Sequence, residues 1–297
     1  MMFSKILKAI CKPKLIALYI LNFKIFRLLP DDIFLKIKYR LVMGKPLELK
    51  SPKTFNEKLQ WLKLYDRKPE YTKLVDKYEV RKYIAKTIGE QYLIPLLGVY
   101  DSFDDIDFDK LPNQFVLKPN HTSGDIFICK DKSKINFHQL RKQVNKWLKR
   151  EYYWVHREWP YKNVKPRIIC EKFLEDNITD YKFMCFHGEP KLIQIHRNRG
   201  RKDQTLDFYD VNWNKTEIRR DKPTSQEFIP KPKNLDEMLS IARILSKDEI
   251  HVRIDLYEVE GKVYFSEKTF FSASGFSKFA KEEYDELIGR WIKLPIN

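Results

Sequence analysis

Residues 251–270 read HVRIDLYEVEGKVYFSEKTF, and the way this stretch alternates decides the fold class. Two strand-like runs, His251–Val259 and Lys262–Phe270, flank a turn containing Gly261, the pattern of an antiparallel hairpin. Strand side chains alternate faces, so loop length decides whether Asp255 and Glu267 meet. A three-residue loop ending on Gly261, a type I turn with a glycine bulge, puts both carboxylates on one face; a two-residue loop puts them on opposite faces. Gly261 suits the bulge position, and we expect the longer loop and convergence. A second hairpin joins Tyr181–Phe186 to Pro190–His196 about His187-Gly188-Glu189. Further outward, Gln114–Lys118 and Ile126–Lys130 are strands flanking a loop over residues 119–125, and Ile168–Leu174 and Leu206–Val211 are two more. Helical periodicity marks Phe137–Arg150, Asn234–Ser246 and Glu282–Leu294, with Asn234 as N-cap and Glu237 in the capping-box position. Hairpins interleaved with helices mean an α+β fold with antiparallel sheets. The order suggests a basic, apolar helical segment over 1–50, a helical lead-in over 51–95, and a main α+β region of short strands, polar turns and helices over 96–297.

The 297 residues carry a formal net charge of +16, which predicts attraction to an anionic partner. Nucleic acid is not expected, because no helix-turn-helix, RRM-like or zinc-finger signature accompanies the charge. Residues 1–50 hold eleven Lys/Arg against Asp31, Asp32 and Glu48. Their longest apolar run, Leu15–Phe23, is too short to span a bilayer, and Lys24 and Arg27 do not suit a signal peptide. The segment suits either the inner, anionic membrane surface or packing on its own domain. Cys11, Cys129, Cys170 and Cys185 lack CxxC spacing, and the last three, in apolar strand-like runs, read as buried free thiols, which favours a reducing, cytoplasmic compartment.

The glycine-rich dinucleotide and P-loop motifs are absent, as are the HExxH and GxSxG signatures. What remains is a dispersed set of charges. Asp255 and Glu267 on a stiff sheet suit a partly hydrated Mg²⁺ completed by phosphate oxygens, or are two acids on a solvated face. Lys118 ends a strand just before a Pro/Ser/Thr/Gly loop, where a point charge can meet a phosphate covered by loop amides. Lys182 projects from one sheet face with Asp180, and Glu171 lies in an apolar run.

Taken together, Asp76–Arg81, Tyr92–Val99, Phe115–His121, Tyr181–Phe183, Glu267–Phe270 and Ser274–Phe276 resemble the TupA-like branch of the ATP-grasp superfamily, associated with cell-surface polysaccharide biosynthesis. The resemblance covers roughly residues 52–275. It implies an ATP-grasp fold, with two α+β subdomains gripping ATP. It implies that Lys118 and Lys182 are phosphate-binding cations, Glu171 with Phe173 and Leu174 the adenine hinge, and Asp180 the ribose contact. It also implies that His121, Ser123 and Gly124 belong to the phosphate flap, and that Asp255, Glu267 and Thr269 hold magnesium, Thr269 standing where many such enzymes carry Asn. The flap departs from the pattern in having one glycine, and Lys268 stands where an apolar residue is expected. The implied activity is an ATP- and Mg²⁺-dependent carboxylate–amine ligase working through an acylphosphate. Its expected partners are ATP, an acidic sugar or glycan, and an amine or amino-acid acceptor.

Other readings remain open at this level. His196, Arg197, Arg199, Arg201 and Lys202 form either a binding site for the acidic substrate, with Arg197 as a catalytic candidate, or a solvated loop. Trp147, Tyr152, Tyr153, Trp154 and Trp159 serve either sugar stacking or packing. Asp105, Asp107 and Asp109 satisfy the DxD pattern of a glycosyltransferase using a nucleotide sugar, although no apolar strand precedes them. A basic, membrane-associated scaffold without catalysis is the third alternative.

Overall fold

A computed structural model describes residues 13–176, 178–198, 201–220 and 222–296. Residues 1–12 of the basic segment, with Cys11, lie outside the described residues, as does Arg199. The helices are α1 (Pro13–Ile20), α2 (Asp31–Met43), α3 (Phe55–Tyr65), α4 (Tyr71–Val75), α5 (Val80–Thr87), α6 (Phe137–Leu148), α7 (Tyr153–His156), α8 (Leu235–Ser246) and α9 (Glu282–Gly289). The strands are β1 (Leu96–Tyr100), β2 (Phe115–Pro119), β3 (Phe127–Cys129), β4 (Ile168–Lys172), β5 (Asp180–Phe186), β6 (Glu189–Arg197), β7 (Thr205–Tyr209), β8 (His251–Val259) and β9 (Lys262–Thr269). They build two antiparallel sheets, ordered β1-β4-β2-β3 and β7-β6-β5-β8-β9. The α+β class with antiparallel sheets follows directly from this pairing.

Each sheet has its own core. Phe115, Leu117, Ile168 and Cys170 of the small sheet pack with Leu140, Val144 and Trp147 of α6. The large sheet buries Phe183, Ile193, Ile254 and Phe265 with Met238, Ala242 and Leu245 of α8 and Phe55 and Leu59 of α3. A third, small cluster of Leu21, Phe34, Leu35, Tyr39 and Leu47 holds α2 and the 3-10 turn Lys24–Leu28 against Leu64 and Phe276. Cys129, Cys170 and Cys185 are free and buried. No helix among the described residues is long and apolar enough to cross a membrane.

Two local expectations need correction. The last hairpin pairs Val259 with Lys262, so its loop is the two residues Glu260 and Gly261, both at positive φ (50° and 73°). That is the signature of a type I′ turn, whose twist matches the strands. His187 and Gly188 form a similar pair between β5 and β6, at φ 50° and 82°. Asn234 is no side-chain cap; its amide donates to the Gly261 carbonyl at 2.8 Å, and Glu237 accepts from the Tyr92 hydroxyl at 2.7 Å. Tertiary partners outcompete the local capping box there. A complete capping box does form at Thr54 and Glu57, opening α3.

Candidate functional site

A regular ladder from a two-residue loop would send Glu267 to the core face with Phe265. It does not, because β9 carries one extra residue. Leu256 faces Phe265, yet Asp255 faces Glu267, leaving Ser266 as a bulge that flips the alternation. The expected convergence therefore occurs by a different route. Arg253 then faces Thr269, and Lys182 on β5 faces Asp255.

These residues form one charged lattice on the inner face of the large sheet. Arg253 Nε donates to Asp255 Oδ1 at 2.6 Å, and its Nη2 donates to Asp255 Oδ2 at 2.7 Å, Glu267 Oε1 at 3.0 Å and Thr269 Oγ1 at 3.1 Å. Lys182 bridges Asp255 and Asp180, lying 2.7 Å from Asp180 Oδ2. Lys77 approaches Glu267 Oε2 at 3.9 Å. Burial raises the Asp255 pKa, and Arg253 and Lys182 offset that only in part. Burial would also raise Glu267, but Lys77, Lys182 and Arg253 outweigh it and hold this carboxyl well below the ordinary range. Burial would lower Arg253, but Asp255 and Glu267 raise it further than burial lowers it.

The facing wall comes from the small sheet and the loop after it. Lys118 Nζ lies 2.7 Å from Glu171 Oε2, and Arg81 reaches the other Glu171 oxygen at 3.5 Å. Asn120 fixes the loop base: its amide donates to Asp76 Oδ1 at 2.9 Å and to the Lys165 carbonyl at 3.0 Å, and its Oδ1 accepts from Arg167 N at 2.7 Å. Lys77 follows Asp76 and donates to the Thr122 carbonyl at 2.5 Å. The single-glycine flap is pinned further on, where Asp125 Oδ2 accepts from Thr122 Oγ1 at 2.8 Å and Arg150 Nη1 at 2.6 Å.

Between the walls lies a cavity of about 620 Å³. Of the candidate residues, Lys118, Ser123, Gly124, Phe173, Asp180, Lys182 and Glu267 line it. Ile126 and Ile128, 49% and 48% exposed, add an apolar surface beside Phe173. Asp255 lies behind Lys182 and Arg253, fully buried. Thr269 is reached by Arg253, and Glu171 is a buried partner of Lys118. His121 points the other way, its ring bonded to Asn120 Oδ1 at 3.1 Å and the Trp147 carbonyl at 3.2 Å, so it anchors the flap rather than lining the cavity. Neither Leu174 nor Arg197 is part of the lining; Arg197 pairs with Glu227 at 3.1 Å, whereas its neighbours His196, Asn198 and Arg201 do line the cavity.

Lys77, Arg253 and Tyr257 were not singled out from sequence. Strand alternation already puts Arg253 on the face of Asp255, a signal that was available. Lys77 lies in the Asp76–Arg81 stretch, but its reach depends on a loop more than forty residues away, which no local pattern shows. The aromatic run is used for packing: Trp147 is core, Trp159 stacks on Tyr71 with centroids 5.8 Å apart, and Tyr153 meets Trp154 edge-on at 4.8 Å. The DxD acids are turn residues, Asp105 accepting from Ser102 N at 2.8 Å and Asp107 from Asp109 N at 3.2 Å, and none lines the cavity.

The sequence profile of the family described as TupA-like ATPgrasp matches residues 57–293. No curated protein sequence matches the chain. Among solved structures it is similar to the D-alanine–D-alanine ligase of Bacillus anthracis, at 20% identity and a TM-score of 0.41, over 66% of this chain and 57% of that one. The L-amino acid ligase of Bacillus licheniformis is similar at 13% identity and a TM-score of 0.42, over 74% and 49%. The D-alanine–D-alanine ligase of Helicobacter pylori is similar at 16% identity and a TM-score of 0.41, over 80% and 69%. The chain thus spans a little over half the length of the first of these proteins.

Proposed function

Because the chain belongs to the TupA-like ATP-grasp family, we propose that it binds ATP between its two sheets and joins a carboxylate to an amine. The observation carrying this reading is the lining of the cavity. Lys77, Lys118 and Lys182 share it with Glu267, and Ile126, Ile128 and Phe173 offer an apolar surface for a planar base. Three lysines suit a triphosphate as point charges, and Asp180 stands beside Lys182 for a ribose hydroxyl.

Magnesium fits the donor set in a restricted way. No group of three His, Cys, Asp or Glu among the described residues would cage a metal alone. A hydrated Mg²⁺ bound with phosphates needs only one or two carboxylates. Of the two acids assigned to the metal, Glu267 lines the cavity and Asp255 does not, and the cations around Glu267 keep it ionised. Asp255 has both oxygens engaged by Arg253 and Lys182, so it serves by holding those cations, with Thr269 completing the Arg253 clamp. Magnesium would supply charge neutralisation at the phosphates.

The reaction follows from positioning. A substrate carboxylate oxygen attacks the γ-phosphorus, the bond to the bridging oxygen breaks, and ADP leaves. The amine then attacks the acyl carbon of the acylphosphate, phosphate departs with the bonding pair, and the amine loses its proton. The lysines stabilise developing negative charge without forming bonds to it, and Arg253 positions Glu267 from behind. We assign the acid to a sugar or glycan of the cell surface, on the family's association, the net charge of +16 and the His196 and Arg201 side of the cavity.

Thermal denaturation with ligands tests this. ATP with Mg²⁺ should raise the melting temperature, by the equivalent of about 2.7 kcal/mol at a hundredfold excess over Kd. Lys118→Ala and Glu267→Gln should lose most of that gain. Stabilisation by a nucleotide sugar but not by ATP with Mg²⁺ would overturn the ligase reading in favour of glycosyl transfer.

A further inference from the structure

Sixteen large apolar side chains are exposed among the described residues, and eight of them fall between Leu15 and Ile37. Tyr19, Phe23, Ile25 and Leu28 stand 69%, 50%, 65% and 81% exposed, from the end of α1, through the residue capping the 3-10 turn, to the turn itself. On α2 the stripe continues with Ile33 and Ile37, one helical turn apart, while Phe34, Leu35 and Tyr39 face inward and supply the local core. These inward residues already anchor the segment, so burying the outward ones is not what holds it in place.

Charge says what the outer face meets. Lys14, Lys24, Lys36 and Arg40 are exposed among the same residues. The acids of the segment are already engaged: Asp31 by Arg67 and Arg157, Asp32 by Lys36, and Glu48 by the amides of Lys50 and Ser51. In sequence, residues 1–12 repeat the same composition, with Lys5, Lys8 and Lys12 among Met, Phe, Ile and Leu. A second copy of this chain would bring like charge against like, and a nucleic acid would leave the exposed Ile25 and Leu28 without a use. Apolar side chains standing among cations match the headgroup–acyl boundary of an anionic bilayer, where both are satisfied together.

We propose that the outer face of α1, the Lys24–Leu28 turn and α2 is a docking surface for an anionic lipid bilayer. The surface lies outside the cavity residues, so the inference stands independently of the nucleotide reading. The test is co-sedimentation of the full chain with vesicles of phosphatidylcholine alone or mixed with phosphatidylglycerol. The chain should sediment with the mixed vesicles and weaken as salt rises. Phe23→Ser with Leu28→Ser, and separately Lys14→Glu with Lys24→Glu, should each cut binding about tenfold or more, with unchanged circular dichroism and melting temperature. Absence of binding to the mixed vesicles, or equal binding to both kinds, would overturn the proposal. So would a dimer seen by light scattering that the Phe23/Leu28 variant dissolves.

Discussion

Arg253 decides how the two carboxylates of the large sheet behave. Its guanidinium makes a two-point contact with Asp255 and extends to Glu267 and Thr269, so one side chain orients three. The planar fork makes this possible, and a lysine would serve only one oxygen at a time. Arg253→Met should therefore leave Asp255, which has no solvent exposure, with Lys182 alone. We expect a stability loss of about 3–5 kcal/mol in urea unfolding, the usual cost of orphaning a buried charge. Turnover of ATP should fall by up to roughly 10²–10³, the scale of one lost charge contact, as Glu267 loses the partner that orients it. Arg253→Lys should regain part of the stability and little of the rate. A variant that turned over ATP normally would show that the clamp is structural only.

The two hairpins that build the large sheet use the same device at the scale of the element. Each has a non-glycine residue followed by glycine, both at positive φ, yet the two glycines sit in different surroundings. A Cβ on Gly261 would meet nothing within 4 Å, whereas one on Gly188 would lie 3.3 Å from the Lys247 backbone. Gly261→Ala should cost only left-handed strain, about 1–2 kcal/mol. Gly188→Ala should cost more, and equal losses in urea melts would contradict this. The glycine in each turn was legible, as were the hairpins, the helices and the α+β class, because each rests on local periodicity. The bulge was not. It depends on Ser266, whose hydroxyl donates to the Tyr257 hydroxyl at 2.9 Å, and nothing in a strand-like run marks which residue a ladder will skip. Hence the carboxylates meet, as the hairpin implies, through a bulge in β9 rather than through a longer loop. His121 is a similar case: the loop is legible in the sequence, but the contact of its ring with the Trp147 carbonyl of α6 is a tertiary fact.

Across the whole molecule, the contact between the α2 layer and the body is built around cations. Lys38, Lys63 and Arg157 are buried there, Lys63 held by the carbonyls of His156 and Ser274 at 3.0 and 2.7 Å, and Arg157 by Asp31 and the Phe26 carbonyl at 3.3 and 3.0 Å. His156 lies among them, its ring 5.4 Å from that of Phe276, and burial followed by Lys38 and Lys63 pushes its pKa down to about 2. In the large sheet, burial pushes His251 to about 3, with its Nδ1 proton donated to the Cys185 carbonyl at 2.9 Å. Both histidines are neutral when folded and titrate near 6.5 when unfolded, so the unfolded chain gains protons first as pH falls. The stability present above pH 6.5 is thus lost below it, at up to about 1.4 kcal/mol per unit for each ring. Lys63, lowered to about 7 by burial, has the same sign, but its share is mostly spent above that pH. Below pH 6.5 the two rings therefore add to the slope, and the difference between wild type and a single His variant isolates one ring's share. In urea unfolding between pH 6.5 and 5, His156→Gln should make the loss of stability on acidification smaller by up to about 1.4 kcal/mol per pH unit, one ring's share. If the slope in that interval is unchanged by the substitution, the ring of His156 is protonated in the folded chain and the cationic layer tolerates one more charge.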